Sequence, residues 1–187
     1  MARALALAAR ARGRTSPNPL VGAVIVKDGR IVGQGYHRRA GQAHAEIEAL
    51  REAGREAQGA ILFVNLEPCC HRGRTPPCTT RLVQAGIREV YVAMLDPNPL
   101  VNGRGRAELE AAGVRTHLGL MAREAERLNE AFSKYITTGL PFVTAKFAMT
   151  LDGKIASRTG NSRWVTGERA RRRVHQLRDV NDAVMVG

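Results

Sequence analysis

The chain has 187 residues, 44% of them apolar, and no low-complexity tract, enough for one well-buried domain and part of a second. Its longest apolar runs, such as Leu20 to Val26, fall far short of the ~20 residues of a membrane-spanning helix, so no membrane partner is expected. The net charge of +12 suits a polyanion or a phosphorylated metabolite equally, and because it is spread along the chain it does not by itself indicate nucleic acid.

The Arg-rich stretch Met1 to Arg14 has too short an apolar core for a secretory signal and reads as a first helix. "LVGAVIVK" and "RIVGQGY", joined across Asp28-Gly29, predict a β-hairpin. "AHAEIEALREAG" predicts an amphipathic helix ended by Gly54, and "AILFVNLE" a short buried strand. "PCTTRLVQAG" restarts helix, with Pro77 allowed in the first turn. Then come the strand "REVYVAM", the helix "GRAELEAAG", the strand "VRTHLG" and one long helix, "MAREAERLNEAFSKYI". Strands alternating with helices argue for an α/β sheet covered on both faces, in a first module of residues 1–140.

"TTGLP" reads as a linker. Residues 141–187 follow as strand "FVTAKFAMT", turn "LDGK", polar "SRTGNSRWVTG", helix "ERARRRVHQLRD" and strand "DAVMVG". In that helix, Arg171 to Arg173 suit a solvated face better than a nucleic-acid contact. So few elements are marginal for an independent core, and the unit is expected to be the opening of a domain whose remainder is absent.

All three cysteines lie in "LEPCCHRGRTPPC", Leu66 to Cys78. They could form a disulfide, a redox pair or two jaws of a metal site. An odd, clustered set fits a secreted disulfide framework poorly and a metal site in a reducing compartment better, which makes the cytoplasm the default location. Catalytic zinc takes three protein ligands and leaves a fourth position for water, whose pKa it lowers. "HAE" supplies His44 and, two residues on, Glu46 at a helix start. H-x-E followed by P-C-x-x-C is the zinc-deaminase signature, with the glutamate as proton shuttle rather than ligand. Here Pro68-Cys69 fits, but the next matching cysteine, Cys78, comes nine positions on rather than three.

With that wider spacing the chain resembles one branch of the zinc-deaminase superfamily, the bifunctional riboflavin-biosynthesis deaminase/reductase family. The segments are "PNPLVGAVIVKDGRIVGQGYH", "HAE", "LEPCCHRGRTPPC", "DPNPLVNGRG", "LDGKIA" and "RWVT", covering essentially the whole chain. The resemblance implies hydrolytic deamination of a diaminopyrimidinone ribosylamine phosphate with release of ammonia. It implies a three-layer α/β/α cytidine-deaminase-like domain over 1–140, then the start of a dihydrofolate-reductase-like α/β domain over 141–187. His44, Cys69 and Cys78 match the ligands of one Zn2+ per chain, and Glu46 the proton shuttle. Asn18 matches a pyrimidine-contacting position, while Arg74, Asp96 and Asn98 match positions around the ribose phosphate. In the second unit Lys146, Ala148 and Trp164 match positions around NADPH, and Ser162 and Arg178 positions around the reductase substrate, for a completed domain. A homo-oligomer is expected.

Cys70 reads as a neighbour of the site, His71 as too close to the cysteines to share their metal, and Glu67 as a cap for the following turn. Two rivals remain: a nucleoside, free-base or tRNA zinc deaminase, and a zinc-binding module without catalysis. The wide cysteine spacing and the reductase-like tail weigh against the first, Glu46 against the second.

Overall fold

The computed structural model describes residues 1–71 and 77–186. The chain divides into two compact units, Met1–Phe142 and Val143–Gly187.

In the first unit, period-two apolar segments build a five-stranded sheet. Its strands are β1 (Gly22–Lys27), β2 (Arg30–Tyr36), β3 (Ile61–Leu66), β4 (Glu89–Met94) and β5 (Arg115–Leu118). The order is β2-β1-β3-β4-β5, with β1 antiparallel to both neighbours and β3, β4 and β5 parallel. The β1–β2 hairpin turns at Asp28 and Gly29, whose φ values of 49° and 74° are the two left-handed conformations a tight hairpin turn requires. Parallel neighbours cannot be joined by a hairpin, so helices cross between them.

The helices of this unit are α1 (Ala2–Ala9), α2 (Ala45–Ala53), α3 (Cys78–Gln84), α4 (Arg104–Ala111), α5 (Ala122–Leu128) and α6 (Glu130–Thr138). Ala23 and Ile25 of β1, Leu62 and Val64 of β3, and Val90 and Val92 of β4 share one buried cluster with Ala45 and Ala49 of α2, Leu82 of α3 and Leu109 of α4. Val24, of opposite parity on β1, packs instead with Ala4 and Leu7 of α1. Helices therefore cover both faces, the mixed α/β layering expected from the alternation. Leu62 is fully buried, and cutting it to alanine would cost about 2–5 kcal/mol.

One packing detail sets the position of the later chemistry. α2 presents Ala45, Ala49 and Ala53 to the core, and the strand beneath it carries glycine. A Cβ on Gly33 would stand 2.2 Å from the Ala49 carbonyl oxygen, and one on Gly35 2.6 Å from that of Ala45. Small residues on both partners let the helix lie directly on β2. Any larger residue there would lift α2, and His44 and Glu46 with it.

Two expectations are corrected. The single long helix is broken at Asn129, which separates α5 from α6 with φ −107° and ψ 18°. Its side chain is 2% exposed and bonded to Leu20, far away in sequence, and that tertiary contact overrides local helix propensity. The strands expected at 142–150 and 182–187 do not form among the described residues. A strand exists only by pairing its backbone with a neighbour, and neither segment has one. The second unit consists of α7 (Glu168–Asp179) and turns such as Thr150–Lys154, closed by Thr150 N–H donating to the Lys154 carbonyl at 2.8 Å. None of its described residues is buried.

Candidate metal centre

Three element boundaries converge on the candidate ligands. His44 is the extended N-cap residue of α2 (φ −71°, ψ 159°), and Cys78 is the first residue of α3. Cys69 lies in the turn after β3, tied to α3 by Thr79 N–H donating to the Cys69 carbonyl at 3.2 Å. His44 Nδ1 stands 3.3 Å from Cys78 Sγ and 3.5 Å from Cys69 Sγ. The Cys78 backbone N–H points at Cys69 Sγ at 3.4 Å. All three donor atoms lie within 4.8 Å of one another, the one such group of His, Cys and acidic residues among the described residues. One imidazole nitrogen and two soft thiolates suit borderline-soft zinc, and three ligands leave a coordination position open, as a catalytic site requires. Half-buried Cys70 and exposed His71 stand outside the group.

The charges of these groups are coupled. The Cys69 thiol, facing the Cys78 thiol and His44, is drawn down to about 4. The same thiol–thiol bond pushes Cys78 up, and the bond to Cys69 raises His44 to about 9. Glu46, two residues past His44 on α2, is 3% exposed. Burial, reinforced by the Cys69 thiolate, raises its carboxyl to about 7. A carboxyl poised there can both accept and give up a proton near neutrality.

Asn18 reaches this cluster through His37, a residue the motif reading passed over. Asn18 Nδ2 lies 3.0 Å from His37 Nε2, and His37 Nδ1 lies 3.0 Å from the Ala43 carbonyl. The His37 ring meets that of His44 edge-on, with centroids 5.6 Å apart. Two buried asparagines hold the segment after Asn18. Asn65 accepts from Gly22 N–H at 2.7 Å and donates to the Leu20 carbonyl at 2.9 Å. Asn129 accepts from Leu20 N–H at 2.8 Å and donates to the same carbonyl at 3.0 Å. An asparagine inside the apolar run "ILFVNL" was the available signal for the first of these, since a buried amide needs partners.

Asp96 is 8% exposed and takes Asn98 N–H at 2.9 Å, while Asn98 Oδ1 takes Leu100 N–H at 3.0 Å. Burial raises the Asp96 carboxyl above the usual range. Glu67 does not cap the turn that follows it. Its carboxylate accepts Asp96 N–H at 3.1 Å, Gly103 N–H at 2.9 Å and Arg106 N–H at 3.0 Å. Arg74 lies outside the described residues.

In the second unit, Lys146, Ser162, Trp164 and Arg178 are exposed and Ala148 is half-buried. Trp164 carries the Arg171 guanidinium over its ring at 4.4 Å. None of these five residues is buried.

Residues 1–94, half of the chain, match the family described as the cytidine and deoxycytidylate deaminase zinc-binding region. The chain belongs to this deaminase family. A His/Cys/Cys donor set with a buried H-x-E glutamate beside it is the arrangement expected of such a deaminase. Residues 141–187 match the RibD C-terminal domain. Riboflavin biosynthesis protein RibD of Aquifex aeolicus (strain VF5) is 53% identical over 184 residues, 98% of this chain and 52% of that relative. Among solved structures, the Thermotoga maritima diaminohydroxyphosphoribosylaminopyrimidine deaminase/5-amino-6-(5-phosphoribosylamino)uracil reductase superposes with a TM-score of 0.91 at 44% identity, covering 96% of this chain and 52% of that one. Acinetobacter baumannii RibD, form 2, gives 0.89 at 48% identity, covering 97% and 51%. These belong to the branch that the resemblance implied, and the chain spans about half the length of the curated relatives it matches. Among its described residues, no helix is long and apolar enough to cross a membrane.

Proposed function

We propose that this chain is a zinc-dependent hydrolase that deaminates a diaminopyrimidinone ribosylamine phosphate in riboflavin biosynthesis. The observation that carries the reading is the buried Glu46 carboxyl beside the His44–Cys69–Cys78 donor set. His44 Nδ1, Cys69 Sγ and Cys78 Sγ would hold the ion, which supplies Lewis-acid activation of water. Glu46 takes a proton from the attacking water and passes protons to the pyrimidine ring nitrogen and to the leaving amine, which departs as ammonia. The amine is replaced by a carbonyl, so water and substrate balance product and ammonia. Asn18 holds the pyrimidine. Asp96 and Asn98, with Arg74, hold the ribose phosphate, and the planar guanidinium of Arg74 suits phosphate oxygens. The choice of substrate is supported by the likeness to proteins named for this deamination.

Residues 1–140 form the deaminase domain in this reading. Residues 141–187 belong to a reductase domain in which Lys146, Ala148 and Trp164 face NADPH and Ser162 and Arg178 the substrate. A nicotinamide pocket buries most of its ligand, whereas none of these five side chains is buried here, so the 187-residue polypeptide deaminates without reducing its product. Thiols kept as metal ligands favour a reducing compartment, hence the cytoplasm. A homo-oligomer belongs to the same reading and rests on family likeness alone.

Zinc-loaded protein incubated in parallel with the pyrimidine phosphoriboside, cytidine and tRNA tests the reading. Ammonia release from the phosphoriboside alone is expected. Release from cytidine or tRNA would assign a different substrate, and release from none would leave a zinc-binding module without catalysis.

A further inference from the structure

We propose that Glu67 is a positioning residue that fixes the distance between the metal-ligand turn and the loop carrying Asp96 and Asn98. The proposal rests on the reading above, in which that loop holds the ribose phosphate. Glu67 precedes Pro68 and Cys69, and its own N–H donates to the Met94 carbonyl at 3.1 Å, so its backbone continues the β3–β4 pairing just past the strand ends. Its side chain, in a residue 3% exposed, reaches out of that frame to three backbone N–H groups. One belongs to Asp96, at the beginning of the β4–α4 loop, and two belong to Gly103 and Arg106, at its end.

The two ends have different needs. Gly103 is the N-cap of α4, in the left-handed conformation (φ 81°), and has no side chain to satisfy the helix's first N–H groups. Glu67 supplies that cap from elsewhere in the chain: Oε1 takes the N–H of Arg106, the third residue of α4, and Oε2 that of Gly103. A carboxylate at a helix N-terminus also suits the sign of the helix dipole. Oε2 is shared with Asp96 N–H, so a single oxygen closes the loop from Asp96 to Gly103 into a ring. Steric contact reinforces the bond, since a Cβ on Gly105 would stand 2.0 Å from the Pro68 carbonyl oxygen. The start of α4 is thus pressed onto the peptide that leads into Cys69. One carboxylate ties three things together: the turn that delivers a metal ligand, the loop proposed to grip the phosphate end of the substrate, and the helix that anchors the loop.

Such a residue sets substrate position rather than chemistry. Glu67→Gln keeps the size of the side chain but turns an amide donor toward N–H groups that need an acceptor. Gly105→Ala shifts the same loop by sterics and leaves the carboxylate intact. In the zinc-loaded 187-residue protein, both variants are expected to retain about one zinc per chain. KM for the pyrimidine phosphoriboside should rise about tenfold or more while kcat stays within about threefold, the pattern of lost binding rather than lost chemistry. Affinity for ribose 5-phosphate, measured by calorimetry as a probe of the loop alone, should weaken by the same factor. The Gly103 and Arg106 amides should exchange faster in Glu67→Gln. A Glu67→Gln chain that does not fold leaves the test with Gly105→Ala. Unchanged KM and probe affinity in a folded variant overturn the proposal, as does loss of zinc and kcat at constant KM, which would make Glu67 part of the metal scaffold only. Wild-type protein that does not turn over the phosphoriboside, yet binds ribose 5-phosphate more tightly than Glu67→Gln does, would sink the functional reading and leave the positioning role standing. Wild-type protein that binds no ribose 5-phosphate overturns both.

Discussion

Asn18 and His37 face each other amide to imidazole, Nδ2 to Nε2 at 3.0 Å, and the far side of the histidine decides what that contact means. His37 Nδ1 lies 3.0 Å from the Ala43 carbonyl, which can only accept, so Nδ1 carries the proton and Nε2 is the acceptor. Burial holds the His37 pKa below its ordinary value, which keeps the ring neutral and preserves that acceptor. Asn18 must then donate through Nδ2, which leaves its Oδ1 as an acceptor, the atom that would meet a substrate amino group in the proposed reading. Ala43 immediately precedes His44, so a single backbone segment orients both the Asn18 amide, through His37, and the candidate metal ligand His44.

His37→Ala removes the orienting acceptor without touching a metal ligand. The expected result is about one zinc per chain and a KM raised roughly tenfold or more, the size of effect typical of partners that orient a site residue. Steady-state kinetics with metal analysis checks both, and an unchanged KM would remove His37 from the site.

Ligand identity separates Cys78 from Cys70. Cys78→Ala should strip most of the zinc, because Cys78 Sγ is one of the three converging donors, whereas Cys70→Ser should retain it. Equal losses in the two variants, by elemental analysis, would mean that the ligand pair is misassigned.

Zinc binding should release protons. In the folded protein His44 is raised to about 9 and the Cys78 thiol is pushed up as well, so both carry protons at neutral pH, while Cys69, drawn down to about 4, does not. Ligation needs all three deprotonated, hence about two protons leave per zinc at pH 7. Because those protons compete with the metal, affinity should fall as pH drops and strengthen as pH rises toward about 9. Calorimetry in buffers of different ionisation enthalpy reads the number directly, and a buffer-independent enthalpy would contradict it.

The second unit should behave differently from the first. With no buried residue among those described in Val143–Gly187, its amides should exchange far faster than those of the β3 and β4 core. The 187-residue chain should not oxidise NADPH against the deaminated product. Product-dependent NADPH oxidation by the chain alone would show the tail to be functionally complete.

The parts of this architecture legible in sequence are those decided by neighbours along the chain. Asp28-Gly29 dictates its own turn, and His44 and Cys78 each stand at a helix start that is marked locally, so both candidate ligands are legible at their places in the chain. What escaped reading depends on distant partners. Asn129 breaks a helix because its amide fits around Leu20, 109 positions earlier, and no window of sequence contains both. Glu67 caps a helix that begins 37 residues later, so at its own position it is indistinguishable from an ordinary turn residue. The tail segments have the composition of strands, but β pairing is a property of two segments, and composition describes only one.

The central claim is that Glu46 moves protons for hydrolysis and does not hold the metal, and Glu46→Gln tests it most directly. The substitution keeps size and burial while abolishing the carboxylate, so the protein should retain about one zinc per chain and lose deamination by at least roughly 10²–10⁴-fold, the contribution of a positioned general acid–base. Near wild-type turnover of the pyrimidine phosphoriboside by the zinc-loaded variant would contradict the account.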